Sequence, residues 1–528
     1  MRIGRAGRGG GGGVLAEPRE PEPDARAAGA AVRARDDGVA ARVAVEDGRA
    51  AMILTVPGGP ELGREPAPVG CVSVTRGTAL RPAHRATAAT ATATATATAE
   101  IAVAAGFGAP EPRHKCTLGG SWGLGAGRPG VGAGWEARCM SDRVTAEQVR
   151  RYRVRAQQLD RAEDPARAAT DAAVLDAGVQ DTGPDGALWA LALRGVPVSA
   201  GAWPDGLAMA WSVRGAPHAY RRADLPAVQR ALRPYSDADA GKRIYDAAKP
   251  LRAAGIRPVD ALGRVARTMR EVVVEPTGKG ALSTRMTAEL DEPYLRWCRP
   301  CGATHMYEMP FRLGALHAGL ELEPGTSPPV LRRSPGFPDA QVGDVDRDAD
   351  GPPDGGGAPA DDGRHDLVRG VLHLLGPVTP KDVAAFLDAP VADVTRRWPA
   401  DAVEVEVDGA SPSVLAEDLP ALLAATDPPR DGTDPVVRLL GPYDLFLQAR
   451  DRHVLVPDPA RAKALWPVLG RPGAVLAGGE VVGTWRPRSR GRRLALELDP
   501  WVPWDEGLRR AVTAQHERLA AFRGADPA

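Results

Sequence analysis

Residues 365–417 read HDLVRGVLHLLGPVTPKDVAAFLDAPVADVTRRWPADAVEVEVDGASPSVLAE, and this stretch decides the fold class. Apolar residues at helical spacing predict a first helix, which Gly376 and Pro377 end. Thr379 then caps a second helix that has Pro380 at its first position, and residues 391–398 supply a third helix at the position of a recognition helix. Two alternating runs that follow predict a β-hairpin. Helix, turn, helix and hairpin in this order predict a winged-helix unit over residues 364–425.

Two earlier segments show related patterns. Residues 140–250 begin with a helix capped by Thr145 and contain two further helical stretches, 171–178 and 184–194, followed by two strand-like runs, 207–215 and 217–225. Residues 251–336 contain an amphipathic helix over 259–273, helix-turn-helix spacing over 281–292, a further helix over 304–320 and two closing strands. Each segment predicts a winged-helix unit, although this order of elements also occurs in proteins that do not bind DNA.

The rest of the chain has a different character. Residues 337–363 are acidic and rich in Gly and Pro, which predicts a flexible linker. Residues 435–528 alternate at period two between glycine turns and end in a helix, which predicts a small β-rich domain. Residues 1–139 contain a glycine run and an Ala-Thr repeat, which predict either a disordered tail or a protein whose translation begins at Met140. The fold class is therefore α+β, with two to three tandem winged-helix units.

Composition sets limits on function. The 528 residues include 61 Gly and 50 Pro, and the 67 basic side chains equal the 67 acidic ones in number. Any DNA binding must therefore come from local basic surface and not from the total charge. An odd number of cysteines, five, without a secretory signal predicts a reducing cytoplasm and no disulfide framework. The weakly apolar Ala-Thr stretch is a poor membrane span, so no membrane association is expected.

Four phrases, in order, resemble the AlkZ/YcaQ-like family of winged-helix DNA glycosylases. They are GVQDTGPDGALWALALRG (178–195), WSVRGAPHAYRRADL (211–225), LLGPYDLFLQARDRHVL (439–455) and VLAGGEVVGTWRPR (475–488). The resemblance implies a concave channel that grips double-stranded DNA and an enzyme that hydrolyses the N-glycosidic bond of alkylated purines, with crosslink unhooking in some members. It covers residues 145–522 and implies DNA binding more directly than catalysis.

The resemblance implies that Gln180 is the first catalytic glutamine of the family. Thr182 stands where the family has Gln or Asp, and Asp181 stands where it has an apolar residue. A threonine hydroxyl can orient a water but is not a general base, so Asp181 supplies a carboxylate only if the loop register differs by one residue. Two other interpretations stay open. The loop contacts DNA without catalysing, or Asp181 or Thr182 simply caps the following helix.

Further candidates lie outside this loop. Arg214 and His218 are predicted to bind DNA on the DNA-facing side of the first unit. His218 is otherwise a structural histidine of its strand, and Arg214 meets either a phosphate or Asp224. The tract with Arg486, Arg488, Arg490, Arg492 and Arg493 is expected in a hairpin, as a phosphate clamp or as a solvated turn. Cys298, Cys301 and His305 have the spacing of three zinc ligands, with His317 or Glu308 as a fourth, but a second pair is missing, and a cluster of reduced thiols is the alternative.

These observations leave three classes of function. The chain is a monofunctional glycosylase for alkylated purines, a non-catalytic winged-helix DNA-binding protein such as a transcriptional regulator, or a scaffold for protein partners. Thr182 favours the second over the first, whereas the arginine tract and Arg214 disfavour the third. We expect double-stranded DNA as the partner, no cofactor, a monomer, and a cytoplasmic, nucleoid-associated location.

Overall fold

The computed structural model describes residues 40–46, 49–55, 142–184, 186–346, 365–426 and 436–528. Within the predicted tail it describes one antiparallel hairpin, formed by β1 (Ala40–Glu46) and β2 (Arg49–Thr55), in which Ala40 is paired with Thr55. The two strands flank Asp47 and Gly48 in the sequence, a dipeptide typical of two-residue hairpin turns. The prediction that residues 1–139 form a disordered tail, or precede a start of translation at Met140, stays a prediction. The other residues of the tail lie outside the described ones.

All other described elements belong to a unit formed by residues 127–528. Its first segment starts as predicted, because the Thr145 hydroxyl accepts from the Gln148 amide at 3.1 Å and the Gln148 side chain accepts from the Thr145 amide at 3.0 Å. Two 3-10 turns, Ala169–Asp171 and Ala173–Asp176, replace the helix predicted over 171–178. The elements of this segment are β3 (Arg143–Val144), α1 (Ala146–Ala156), β4 (Val179–Gln180), α2 (Gly186–Ala192), β5 (Leu207–Trp211), β6 (Pro217–Arg221), α3 (Leu225–Ala231), α4 (Asp237–Arg243) and α5 (Ala248–Ala253).

The second segment contains a hairpin that the sequence analysis did not predict. The helix predicted over 304–320 begins only at Glu308, since residues 303–306 form a strand paired with residues 295–298. Pro300 and Gly302 lie in the connecting turn, and they are the local signal for it. The elements are α6 (Pro258–Val272), β7 (Thr277–Gly278), α7 (Lys279–Glu289), β8 (Leu295–Cys298), β9 (Ala303–Met306), α8 (Glu308–His317), β10 (Leu320–Leu322) and β11 (Val330–Arg333).

A single six-stranded sheet joins the first two segments. Its strand order is β4-β6-β5-β10-β11-β7, and Met209 of the first segment is paired with Leu322 of the second. Strand β4 is therefore the edge of this sheet, and the loop that follows it starts at Asp181. The predicted boundary at residue 250 divides neither the strands nor the helices of the two segments, because Ile244 and Leu251 share an apolar cluster with Leu262.

The start of the predicted linker packs against the rest of the folded unit. Phe337 is 6% exposed and Val345 is 3% exposed, and the Asp344 side chain pairs with Arg233 at 2.5 Å. Because this stretch is rich in Gly, Pro and Asp, its sequence is typical of a linker and gives no sign that Phe337 and Val345 are buried. Residues 347–364 of the predicted linker lie outside the described ones.

The third segment has the predicted order of elements. Thr379 accepts from the Asp382 amide at 3.3 Å in a capping box, and Val403 is paired with Val414 in the predicted hairpin. Its strand β13 is paired in parallel with β3 from the start of the unit. The elements are α9 (Leu367–Leu375), α10 (Pro380–Leu387), α11 (Val391–Arg396), β12 (Ala402–Glu404), β13 (Glu406–Val407), β14 (Ser413–Leu415) and α12 (Leu419–Leu423).

The C-terminal segment forms a five-stranded sheet in the order β15-β16-β17-β18-β19. Helix α2 packs against it, because the Trp189 indole donates to the Leu439 carbonyl at 2.8 Å and its ring lies 5.1 Å from that of Phe522. Among the helices that the structure describes, none has both the length and the apolar composition of a membrane span. The elements are β15 (Val437–Leu440), α13 (Arg452–Leu455), α14 (Pro459–Leu465), β16 (Gly473–Ala477), β17 (Glu480–Arg490), β18 (Arg493–Pro500), α15 (Glu506–Phe522) and β19 (Asp526–Pro527).

Candidate functional site

Gln180 and Thr182 are joined by a hydrogen bond at the edge of the six-stranded sheet. The Gln180 side-chain amide donates to the Thr182 hydroxyl, with 2.9 Å between Nε2 and Oγ1. Gln180 is 8% exposed and ends strand β4, whereas Thr182 is half-buried on the loop. Because residues two apart in extended chain point to the same side, both groups lie on one face of the loop. A nearly buried amide is thus held in place by a neutral hydroxyl.

Asp181 is engaged differently from its two neighbours. Its carboxylate accepts from the Ala187 amide at 2.8 Å, in the first turn of helix α2, and its own amide donates to the Pro217 carbonyl at 2.8 Å. The capping role that the sequence left open for Asp181 or Thr182 therefore falls to Asp181. The same residue lines a cleft of about 690 Å³ together with Trp203, Pro217 and Glu323.

His218 lies under the surface beside the glutamine. It is 3% exposed, and its position in β6 is paired with Gln180. Its Nδ1 atom lies 2.9 Å from the Ala216 carbonyl oxygen and 2.9 Å from the Ser212 hydroxyl, which also accepts from Tyr220 at 2.9 Å. Burial, with a smaller effect from Arg214, lowers the pKa of His218 to about 3, so the ring is neutral. This buried position does not favour the predicted contact with DNA.

Arg214 connects three segments of the chain. It has a left-handed backbone with φ of 57°, and its guanidinium donates to the Phe386 carbonyl and, at 2.6 Å, to the Gln448 side chain. Burial lowers its pKa to about 10. The pairing with Asp224 that the sequence left open is absent among the described contacts of Arg214, because Asp224 lies beside Arg221 instead, at 3.4 Å. A phosphate contact of Arg214 stays a prediction.

The arginine tract lies on a long hairpin, as expected. Strands β17 and β18 pair Arg490 with Arg493 and Arg486 with Glu497, and Gly491 in the turn has φ of 58°. Since side chains alternate across a strand, Arg486, Arg488 and Arg490 share one face of β17, and their partners on β18 share it too. Arg488 pairs with Glu497 at 2.6 Å, so the tip of the hairpin is its most basic part.

A second basic cluster was missed by the sequence analysis. Arg450, Arg452 and Arg471 are half-buried in the C-terminal segment. Burial lowers the pKa of Arg450 and of Arg452, and the neighbouring arginines lower it further. The Arg452 guanidinium lies over the Trp466 ring, and the Arg471 guanidinium lies over the Tyr443 ring. Each guanidinium is therefore held in place by an aromatic side chain. The signal was Arg-Asp-Arg at 450–452 inside one of the quoted phrases. Asp451 turns away to Arg153 at 2.6 Å, so its charge does not separate the arginines.

The three predicted metal ligands come together. Ligand atoms of Cys298, Cys301 and His305 all lie within 4.8 Å of one another on the β8–β9 hairpin. Both proposed fourth ligands are engaged elsewhere. Glu308 pairs with Lys279 at 2.7 Å, and His317 lies 3.0 Å from the Gln229 amide. The hairpin carries none of the residues of the Gln180 loop.

A family model and a solved structure both match this chain. Residues 174–522 match the family model described as "DNA glycosylase AlkZ-like". The solved structure of Streptomyces sahachiroi DNA glycosylase AlkZ aligns with a TM-score of 0.50 and 21% identity, over 73% of this chain and 98% of that chain. At this identity the likeness concerns the fold alone. Curated protein sequences give no match.

Proposed function

This chain belongs to the AlkZ-like family of DNA glycosylases, and from that membership we propose that it hydrolyses the N-glycosidic bond of alkylated purines in double-stranded DNA. The observation that carries the proposal is the hydrogen-bonded pair of Gln180 and Thr182, which lies in the first part of the matched residues. The reaction is expected to be monofunctional, with water as the nucleophile and no cofactor.

The substrate itself supplies much of the driving force. A purine alkylated at N7 or N3 is already cationic, so the bond to the sugar breaks without prior protonation and the bonding electrons neutralise the base. The enzyme then has to stabilise a positively charged sugar and to place a water at its C1′ atom. The side-chain oxygen of Gln180 can accept from that water, and its negative end favours the cationic sugar.

Thr182 fixes the orientation of the glutamine. Since its hydroxyl oxygen accepts from Nε2, the amide cannot rotate freely, and the Gln180 oxygen is held on the side away from the threonine. The attacking water loses its proton to solvent, because neither side chain is a base at neutral pH. In this scheme Asp181 supports the loop by capping α2 and takes no part in the chemistry.

The opposite assignment uses the other face of the loop. Asp181 lines the cleft that also contains Trp203, Asp205 and Glu323, and aromatic and acidic groups are complementary to a cationic ring. The cleft volume of about 690 Å³ is also in the usual range for ligand sites. If the substrate entered there, the carboxylate of Asp181 would be the group that activates water.

We propose that the DNA is gripped by winged-helix units and by basic surface. The order α9, α10, α11 and the β12–β14 hairpin supports one such unit, and α6, β7, α7 and the β8–β9 hairpin support a second. The arginines at the tip of the β17–β18 hairpin and the cluster of Arg450, Arg452 and Arg471 supply positive charge for phosphates. This charge is local, as the neutral total requires, and the chain is expected to act as a monomer at the nucleoid.

One assay separates these alternatives. Release of N7-methylguanine from duplex DNA is measured for the full chain and for Gln180→Ala, Thr182→Ala and Asp181→Asn. We expect Gln180→Ala to slow release by about 10²-fold or more, the scale of one well-placed catalytic group, and Thr182→Ala to slow it less. Loss of release in Asp181→Asn with activity retained in Gln180→Ala would assign the chemistry to the cleft. Duplex binding without base release in the wild-type chain would favour a non-catalytic DNA-binding protein.

A further inference from the structure

The β8–β9 hairpin holds a group of side chains that the glycosylase chemistry does not use. Cys298 ends β8 and is 5% exposed, Cys301 lies exposed in the turn, and His305 is half-buried on β9. The chain reverses direction in the turn between β8 and β9, which contains Cys301 and Gly302. Gly302 has a φ of 60°, which suits a residue without a side chain. The Cys298 sulfur is thus held in the core, whereas the Cys301 sulfur lies near the His305 ring on the solvent side.

The histidine is already oriented as metal ligands are. Its Nδ1 atom lies 2.8 Å from the Met306 carbonyl oxygen. A carbonyl oxygen only accepts hydrogen bonds, so Nδ1 carries the proton and the Nε2 lone pair is available. A backbone carbonyl bound to one ring nitrogen, which fixes the tautomer, is the usual outer partner of a histidine that ligates a metal through the other nitrogen.

We propose that Cys298, Cys301 and the Nε2 atom of His305 bind a zinc ion that holds this hairpin closed. In a tetrahedral site, Zn–S bonds of about 2.3 Å place two sulfurs about 3.8 Å apart. The ligand atoms here lie within 4.8 Å of one another, so side-chain rotations that move them by about 1 Å complete the site without moving the backbone. Two thiolates and an imidazole are the donors that zinc prefers over magnesium or calcium.

The fourth position faces water. Glu308 is held by Lys279 and also by Arg312 at 2.6 Å, and His317 is 5% exposed beside Gln229, so neither turns to the cysteines. Because Cys301 is exposed, the side of the cluster that it forms is open to solvent. A water molecule therefore completes the tetrahedron, and the site is of the Cys₂His type with one exchangeable position.

The ion would stabilise more than the hairpin itself. Helix α8 begins shortly after the last ligand, and its Arg312 donates to the Gly215 carbonyl at 3.2 Å, in the turn that precedes His218. The same hairpin exposes Trp297, 65% of which is accessible to solvent. A fixed hairpin thus holds the start of α8 and presents an aromatic side chain at a defined position.

The test uses metal binding and not base release, so its outcome does not depend on the proposed function. The full chain is purified under reducing conditions without chelator, and bound zinc is measured by atomic emission. We expect one zinc per chain. The metal-free protein is then titrated with Co²⁺, which we expect to give thiolate-to-cobalt charge-transfer bands that saturate at one equivalent.

Variants locate the site. Cys301→Ser is expected to abolish the charge-transfer saturation at one equivalent, and His305→Gln to change the d–d bands. The matched control is Cys71→Ser/Cys116→Ser/Cys139→Ser, which removes every other thiol of the chain and is expected to keep the spectrum. Circular dichroism confirms that the variants are folded. Failure of the wild-type chain to give cobalt–thiolate bands, an unchanged spectrum in Cys301→Ser, or a Cys298–Cys301 disulfide under the reducing conditions would overturn the proposal.

Discussion

Arg194 and Asp444 form a buried, two-pronged ion pair between the first segment and the C-terminal one. Both guanidinium nitrogens lie 2.9 Å from a carboxylate oxygen, and each side chain is 1% exposed. Arg194 closes the turn after α2, the helix that Asp181 caps. Asp444 also accepts from the Phe446 amide at 3.0 Å and so starts the 3-10 turn that contains Gln448, a partner of Arg214. The pair therefore joins the C-terminal end of α2 to the 3-10 turn that follows β15.

Replacing Asp444 with alanine is expected to lower the free energy of unfolding by about 3–5 kcal/mol, because it leaves the buried Arg194 charge without its partner. Urea unfolding followed by circular dichroism measures the change. The control is Arg510→Ala, which breaks an exposed ion pair to Glu506 and is expected to cost about 0.5 kcal/mol or less. Equal effects of the two substitutions would contradict the assignment.

Asp181 can be tested for capping separately from catalysis. Asparagine also caps helices well, so Asp181→Asn is expected to leave stability nearly unchanged while it removes the carboxylate. Asp181→Ala loses the bond to the Ala187 amide and is expected to lower the free energy of unfolding by about 1 kcal/mol. Thermal melting measures both variants. If Asp181→Ala melts like the wild-type chain, Asp181 does not support α2.

His218 predicts a dependence of stability on pH. Its pKa is about 3 in the folded chain and about 6.5 in the unfolded chain. The unfolded state therefore binds more protons between these values, so the stabilisation is complete above pH 6.5 and is lost as the pH falls towards 3, by up to about 1.4 kcal/mol per pH unit. His218→Gln is expected to reduce this slope between roughly pH 6.5 and 5, measured by denaturant unfolding.

His373 is the control with the opposite sign. The hydrogen bond that His373 Nδ1 donates to the Asp418 carboxylate, at 2.9 Å, raises the pKa of His373 above its ordinary value. Its contribution is complete below the unfolded pKa and is lost as the pH rises through the folded value. His373→Gln should therefore lower the free energy of unfolding at acid pH. His218→Gln should instead reduce the decrease in that free energy as the pH falls. A change of slope in the same direction for both variants would show that burial of His218 is not the cause.

The tip of the arginine hairpin is expected to bind phosphates. Replacing Arg490, Arg492 and Arg493 with alanine should reduce the slope of log affinity against log salt by up to about 0.9 for each phosphate that the variant no longer neutralises. Fluorescence anisotropy with a labelled duplex at several salt concentrations measures this slope. Arg509→Ala/Arg510→Ala, on the exposed side of α15, should leave the slope unchanged. An unaltered slope in the hairpin variant would assign the tract to an ordinary solvated turn.

Residues 1–139 are proposed to be dispensable for DNA binding, because the low-complexity runs there offer no patterned basic surface. A chain that begins at Met140 is expected to bind the same duplex with an affinity within about threefold of that of the full chain, by the same anisotropy measurement. Its melting temperature should also be unchanged. A large decrease in either would show that the segment contributes to the DNA complex or to the fold.

Sequence patterns located elements better than they located partners. Thr145 and Thr379 cap their helices as predicted, since a cap depends on residues three positions apart. The β8–β9 hairpin was missed because THMYEMPFRLGAL satisfies helical spacing, and only the Pro and Gly of the preceding turn contradict it. Phe337 and Val345 were missed because two apolar anchors cannot be distinguished from a linker without knowing what they pack against.

The same is true of the candidate site, where local positions could be predicted from the sequence but contacts between distant residues could not. Gln180 and Thr182 could be placed on one loop from their spacing, and the arginine tract could be placed on a hairpin from its alternation. The buried state of His218 and the bonds of Arg214 to Phe386 and Gln448 could not be predicted, because the partners of Arg214 lie 172 and 234 positions away in the sequence. The cluster of Arg450, Arg452 and Arg471 forms only when the C-terminal segment folds.

The shared sheet limits how this protein can be divided or recombined. Cutting the chain at residue 250 would separate β5 from β10 and expose an unpaired strand edge on each fragment, the usual starting point for aggregation. A chimera that exchanges residues 251–336 with a relative would also have to match the pairing between Met209 and Leu322. We therefore expect successful exchanges only where the first two segments, which contribute β5 and β10 to the same sheet, are exchanged together.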